Sequence, residues 1–250
     1  MGVDLDGLVF IIIYNYLLAH DNKLISFNIT IGESRLNIKA KKNLRDEATR
    51  LLLENREIIE RYIRLYKVFQ TSLKPISQNK NAPSIIQKMT DAGIKMGVGP
   101  MAAVAGAIAQ EVAMGLYKYS TELIVENGGD IFLISKSSRY IEIDAGLSIL
   151  NKKLALEIEP APNGISVCTS SGTVGHSLSF GCADAAIVIS SSAYLADAAA
   201  TAVCNTIRSE ANLVDGIELA KSTKGILGAL VIKDDKMSAW GKIKLVPNGY

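Results

Sequence analysis

Histidine and cysteine are scarce in this chain, and their scarcity removes several chemistries at once. There are two histidines, at positions 20 and 176, and three cysteines, Cys168, Cys182 and Cys204. No C-x-x-C pair occurs, which excludes a disulfide framework and a paired-cysteine zinc site and points to a reducing compartment. A single-sign charge excess is also missing: 27 basic and 25 acidic residues leave a net charge of +2. A nucleic-acid footprint would need basic residues gathered on one face. The cluster Lys39-Ala40-Lys41-Lys42 has no interleaved aromatics and reads as a solvated strand end. The apolar run LVFIIIYNYLLA at 8–19 falls short of the ~20 residues a membrane helix needs. Asp4 and Asp6 precede it in place of Lys or Arg, unlike a secretory leader, and its composition suits a buried strand. These absences predict a cytoplasmic protein with neither nucleic acid nor membrane as partner.

What is present has the order of an α+β fold, with a sheet packed by helices. A single domain over 1–250 is expected, with strands and a long helix in 1–71 leading into a core at 72–250. LISFNITI and SRLNIKA read as strands joined by a Gly32-Glu33 turn. A helix follows over 44–68, with Ala48, Leu51, Leu52, Ile58, Ile59, Tyr62, Ile63 and Tyr66 at helical spacing. Asp46–Arg50, Glu57–Arg61 and Glu60–Arg64 are expected surface pairs, and the helix is read as a scaffold without chemistry. A loop at 72–83 precedes a helix expected from Pro83 to Gly93. Beyond it lie a glycine bend and a helix of Ala, Val, Ile and Gly. Strands are expected in ELIVENGGDIFLIS, RYIEIDAG, ADAAIVISSS, GILGALVIKD and KIKLVP, with NGISVCTSSGTVGHSLSFG as a loop and a helix over 193–208. Residues 99–133 and 193–232 share an alanine-rich helix followed by a glycine and an apolar strand. A duplicated fold with its site where the halves meet would explain that similarity.

Four stretches carry candidate chemistry. Gly97 and Gly99 in GVGPMA satisfy a loose dinucleotide-binding pattern. That pattern requires a preceding strand, however, and SIIQKMTDAG reads as helix. The bend can present N–H groups to a phosphate at a helix start, or simply permit close packing. Gly128 and Gly129 with Asp130, in ENGGDIF, form either a tight turn with a solvated acid or a close approach to a ligand. Thr169, Ser170, Ser171, Gly172 and Thr173 open a hydroxyl-rich stretch suited to an anion or a ring edge. His176 within it is a candidate general base, with an ordinary loop histidine as the alternative. Cys168 is either a nucleophile or, with no basic neighbour in sequence, a buried thiol.

The fourth stretch is LADAAATAV. Asp197 and Thr201 stand four apart on one helix face, with Asn205 extending the stripe. Ser190, Ser191 and Ser192 supply the N-cap, so Asp197 lies past the capping positions. The remaining residues are nearly all Ala or Val, so the helix is buried and its carboxylate needs a partner. A carboxylate beside a hydroxyl suits Mg²⁺.

Taken in order, GVGPMAAVAGAIAQ, IVENGGDIFLI, TSSGTVGH and YLADAAATA resemble the motif set of the ApbE-like proteins, and in particular their shorter, uncharacterised branch. The resemblance spans 72–240 and implies an α+β fold related to the T-fold. It also implies FAD and Mg²⁺ as cofactors, with cleavage of the pyrophosphate and transfer of FMN to a threonine of a protein acceptor. Asp197 and Thr201 match the family's magnesium ligands, and Gly128, Gly129 and Asp130 match its GGD turn. Thr169, Ser170 and Gly172 match the loop near the flavin, and His176 matches a histidine that follows. The family continues H-x-x-D-P-x-T-G, whereas Ser179 follows here without the DP pair. Its G-x-A-K-G lysine and the aspartate of the next helix have no counterpart in GPMAAVAGAIAQ. The expectation is therefore a flavin-site protein acting as an Mg²⁺-dependent FMN transferase or FAD pyrophosphatase. The alternatives are a module that binds a flavin, pterin or nucleotide without turnover, or an oligomeric scaffold such as a homodimer.

Overall fold

The computed structural model describes residues 24–173 and 181–248. The apolar run at 8–19 and His176 lie outside them. The chain begins with a hairpin, β1 (Ile25–Ile31) and β2 (Ser34–Ala40). Its alternation follows the strand period: Phe27 and Ile29 face the core while Ser26, Asn28 and Thr30 face out. Gly32 turns the chain at a φ of 54°. Four helices come next: α1 (Arg45–Leu65), α2 (Lys67–Thr71), α3 (Ser84–Met96) and, after a 3₁₀ turn at Pro100–Ala103, α4 (Val104–Leu116). The expected 44–68 helix breaks at Tyr66, which leaves helical geometry at φ −129° and ψ 79°. On α1, Glu57–Arg61 pairs as expected at 2.6 Å. Arg50 instead pairs with Glu54, and Glu60 with Arg56. Helix α3 runs past Gly93 to Met96 and ends on Gly97, whose left-handed φ of 71° suits a helix C-terminus. Gly93 lies inside the helix because a Cβ there would stand 2.8 Å from the Val98 carbonyl oxygen.

The rest of the chain adds β3 (Leu123–Asn127), β4 (Asp130–Ser135), β5 (Arg139–Glu142), β6 (Leu154–Ile158), β7 (Ala161–Ser170) and β8 (Ala185–Ser190). Helices α5 (Ala193–Thr206) and α6 (Leu213–Ser222) follow, then β9 (Ile226–Lys233), β10 (Lys236–Gly241) and β11 (Leu245–Pro247). The stretch NGISVCTS, expected as loop, is strand β7. Ser192 caps α5 by accepting a hydrogen bond from the Leu195 N–H.

Eight strands form one antiparallel sheet in the order β1-β2-β3-β4-β7-β8-β9-β10. That order contains one pattern twice, a strand pair, a helical crossover and a second strand pair: β1-β2 to β3-β4 across α1–α4, and β7-β8 to β9-β10 across α5 and α6. The two units meet edge to edge where β4 pairs with β7. An α+β fold with internal repetition is thus what the chain forms, the alanine-rich α4 and α5 holding equivalent places. One core lies between this sheet and the helices, built from residues such as Leu52, Phe69, Met89 and Val188. A second core, including Ile131, Ile141, Leu156 and Leu230, separates the opposite face from a small sheet ordered β11-β6-β5. Among the described residues no single helix is long and apolar enough to cross a membrane.

Candidate functional site

Helices α4 and α5 touch at Gly106, and that contact creates the site. A Cβ on Gly106 would stand 2.5 Å from the Ala193 carbonyl oxygen and 2.9 Å from Asp197 Cβ. Only a glycine admits this approach. It brings the Gly106 N–H within 2.8 Å of Asp197 Oδ2, and the Ala105 N–H also bonds that carboxylate. The first turn of α4 therefore offers its N–H groups to Asp197, a favourable placement for a negative charge. The N–H groups at the start of α4 thus serve an internal carboxylate.

Asp197 is nevertheless a strained place for a charge. Burial pushes its carboxyl well above the ordinary range, the nearby Asp130 adds to that, and the two N–H groups oppose it only in part. Asp130 opens β4 after the Gly128-Gly129 turn, whose φ values of 62° and 101° match a two-residue hairpin. Burial raises Asp130 to about 7, opposed by hydrogen bonds from the Cys168 thiol and the Thr169 N–H. The Thr169 bond measures 3.3 Å. No cationic side chain offsets the effect of burial on either acid. Cys168 itself is fully buried, and burial together with the two aspartates pushes its thiol up. A nucleophile must be a thiolate, so this cysteine is a neutral, structural group.

Both acids border a cavity of about 370 Å³ at the junction of the two sheet units. Gly128, Asp130, Thr169, Ser170, Asp197 and Thr201 all line it. Two of these residues carry buried hydroxyls without a hydrogen-bond partner, Thr169 Oγ1 and Ser170 Oγ. Buried polar atoms are ordinarily satisfied, so two orphaned hydroxyls at the strand end that borders the cavity set this region apart from the rest of the core. The donor set fits a hard cation that keeps water or ligand oxygens: two carboxyl groups, whose shifts no cationic side chain offsets, and the Thr201 hydroxyl. Among the described residues no group of three His, Cys, Asp or Glu side chains gathers as a metal cluster.

The remaining expected residues lie elsewhere. Gly97 caps α3, and Gly99 donates to the Leu73 carbonyl at 3.1 Å. A Cβ on Gly99 would stand 1.8 Å from the Ser72 carbonyl oxygen, so its role is close packing. Gly129 completes the hairpin turn and is not among the cavity-lining residues. Thr173 bonds Asp184 Oδ1 at 3.1 Å, and its N–H bonds Ser171 Oγ at 3.1 Å, which closes the loop on itself. Gly172 lets that loop press against Gly181, whose carbonyl oxygen would be 1.9 Å from an added Cβ.

Sequence reading also missed one wall of the cavity. Glu33, Ser34, Arg56, Glu60 and Gln70, from the hairpin turn, α1 and α2, stand beside Ile59 and Ile63 along it. Helix α1 is therefore more than scaffold. A signal was available in Gly32, which leaves space for the Arg56 guanidinium.

Comparison with known proteins agrees with this architecture. A family model described as "AbpE bacteria" matches residues 16–223. A UPF0280 protein of Methanosarcina acetivorans is 43% identical over 191 residues, 76% of this chain and 75% of its own length. Another from Methanocaldococcus jannaschii is 41% identical, covering 86% of this chain and 90% of its own. The flavin transferase ApbE of Vibrio cholerae shares the fold with a TM-score of 0.53 at 15% identity, over 88% of this chain and 97% of that one. The apo flavinyl transferase ApbE of Pseudomonas stutzeri matches with a TM-score of 0.53 at 14% identity, over 90% and 96%. The chain belongs to the ApbE-like family.

Proposed function

We propose that the cavity between the two sheet units binds a flavin nucleotide, FAD or FMN, together with Mg²⁺, and that the protein works in the cytoplasm as an Mg²⁺-dependent FMN transferase or FAD pyrophosphatase. The observation that carries this is the coincidence, in the lining of one cavity, of two buried acids, Asp130 and Asp197, with the hydroxyl-bearing Thr201 and the strand end Thr169–Ser170. Asp197 and Thr201 would hold the cation, with Asp130 close enough to add negative potential. Ser170, which shares the helix-side face of β7 with Cys168, would be the nearer hydroxyl to a ligand, while Thr169 borders the space at the strand end. When bound, the cation supplies charge neutralisation at phosphate oxygens. The apolar side chains of Ile59, Ile63, Met101 and Ile108 offer a water-poor wall suited to a ring. Because α1 and the later strands share this cavity, the described residues are read as one domain.

A second reading, binding without turnover, has its own support. The family's lysine is absent from GPMAAVAGAIAQ, and the N–H groups at the start of α4 are taken by Asp197. One experiment addresses both. Purified protein is titrated with FAD, FMN and AMP, with Mg²⁺ or with chelator, while melting temperature and, for FAD, released FMN and AMP are followed. Ligand that binds only the native state must raise the melting temperature. The expected outcome is an Mg²⁺-dependent rise that Asp197→Ala abolishes. FMN and AMP release supports the enzyme, and binding without release supports the module. No rise with any flavin or nucleotide would sink both.

A further inference from the structure

Arg56 differs from the other paired arginines of α1. Arg50 and Arg61 form ordinary surface pairs with side-chain exposures of 51% and 67%, whereas Arg56 is 19% exposed. Three restraints hold its guanidinium. Nη1 donates to Ser34 Oγ at 2.8 Å and Nη2 to Glu60 Oε1 at 2.7 Å. Gly32, at the tip of the β1–β2 turn, has no side chain to push it away: a Cβ there would lie 2.5 Å from Nη2. An exposed ion pair contributes little to stability, so joining helix to hairpin does not by itself require a half-buried guanidinium. Arginine carries five N–H donors in a rigid fork. Two serve these bonds, which leaves further donors on a planar, pre-oriented group whose residue lines the 370 Å³ cavity.

The rest of the cavity indicates what the fork would meet. Ile59 and Ile63 follow Arg56 on the same face of α1, one and two turns on, and line the same space. Asp130 and Asp197, once ionised, admit a phosphate only together with a cation, and they lie in the same cavity lining as Arg56. A phosphate with its metal suits the aspartates, and an uncharged, acceptor-bearing ring edge suits the guanidinium. We propose that Arg56 is a ligand-binding residue that donates hydrogen bonds to the carbonyl edge of the ring system whose phosphate end is held at Asp197 and Thr201. This rests on the flavin reading above. It makes Arg56, a residue outside the family motifs, the determinant of ring preference.

The test is a set of calorimetric titrations with riboflavin, FMN and AMP, in Mg²⁺ and in chelator. Wild type is compared with Arg56→Met, Arg56→Lys and, as a surface control, Arg61→Met. Arg56→Met should weaken riboflavin and FMN by a similar factor, about tenfold or more, the scale of a charge-assisted hydrogen bond. Arg56→Lys keeps the charge and stem but loses the fork, so it should recover only part of the affinity. It also secures the result should the methionine variant fail to fold. Arg61→Met should bind as wild type does. Unchanged riboflavin affinity in both Arg56 variants overturns the inference and leaves the flavin site standing. Loss confined to FMN also overturns it, since Arg56 would then read the phosphate. Wild type that binds none of the three compounds overturns the flavin reading and this inference together.

Discussion

Glu126 and Asp130 bracket the β3–β4 turn, and each keeps its proton further into the neutral range than an ordinary acid. Burial raises Glu126 to about 7, with Lys39 opposing and Asp130 adding to the effect. Burial likewise raises Asp130 to about 7. In the unfolded chain such groups titrate near ~4. Between those values the native state binds more protons than the unfolded state, so their contribution is complete below about pH 4 and is lost as pH rises to about 7. The metal-free protein in chelator should therefore lose stability relative to a Glu126→Gln/Asp130→Asn variant between pH 5 and pH 8. By denaturant unfolding the difference should amount to at least ~1 kcal/mol, a conservative fraction of the full shift. A difference that stays flat or changes in the opposite direction would show that neither acid is held protonated. Asp197 follows the same logic, and a cation beside it should offset part of the loss at neutral pH.

At the scale of elements, the α4–α5 contact governs whether the site exists. Gly106→Ala would place a methyl carbon against Ala193 and Asp197, and it should separate the helices enough to lengthen the Gly106–Asp197 bond. Overpacking of this kind costs ~1–3 kcal/mol. The variant should unfold at lower denaturant and lose Mg²⁺-dependent ligand binding, both readable from one set of melts with and without ligand. Retained binding at wild-type affinity would detach the site from the helix contact. The same element shows what a sequence discloses. Asp197 and Thr201 stood out because α5 is otherwise Ala and Val, and the hairpin β1–β2 because its residues alternate cleanly. Strand β7 was hidden by Pro162, Asn163 and Gly164, which signal a turn. Yet Gly164 is in the strand because a Cβ there would strike the Phe132 ring at 2.5 Å. Helix α6 was hidden by Gly216 in its middle, where Ile207 and Val203 pack close. Strand β10, mostly exposed, has no buried alternation to reveal it. Arg56 was invisible for another reason. Its spacing to Glu60 equals that of Glu57 to Arg61, and only tertiary packing distinguishes a half-buried fork from a solvated one.

For the whole molecule, the consequence of the repeat is that neither sheet unit owns the cavity. The first supplies α1, the start of α4 and the Gly128–Asp130 turn; the second supplies Thr169 and Ser170 at the end of β7 and Asp197 and Thr201 on α5. The units are joined through the β4–β7 ladder, whose register shifts between Leu133 and Ser135. A ligand spanning the cavity would therefore act as a second connection between them. Hydrogen exchange measures this directly, because local opening is suppressed where a ligand ties elements together. With FMN and Mg²⁺, protection should rise together in the 127–130 turn, the end of β7 and the first turns of α5. The separate cavity of about 310 Å³ near Glu157, Gly164 and Lys242, at the other end of β7, should stay unchanged. Global stability should rise as well, by ~2.7 kcal/mol at a ligand concentration one hundred times the dissociation constant. Protection confined to one unit, or centred on the 157–165 region, would place the ligand outside the junction. Joint protection would mean that the ligand bridges the two repeats, so that binding and the integrity of the eight-stranded sheet depend on the same contacts.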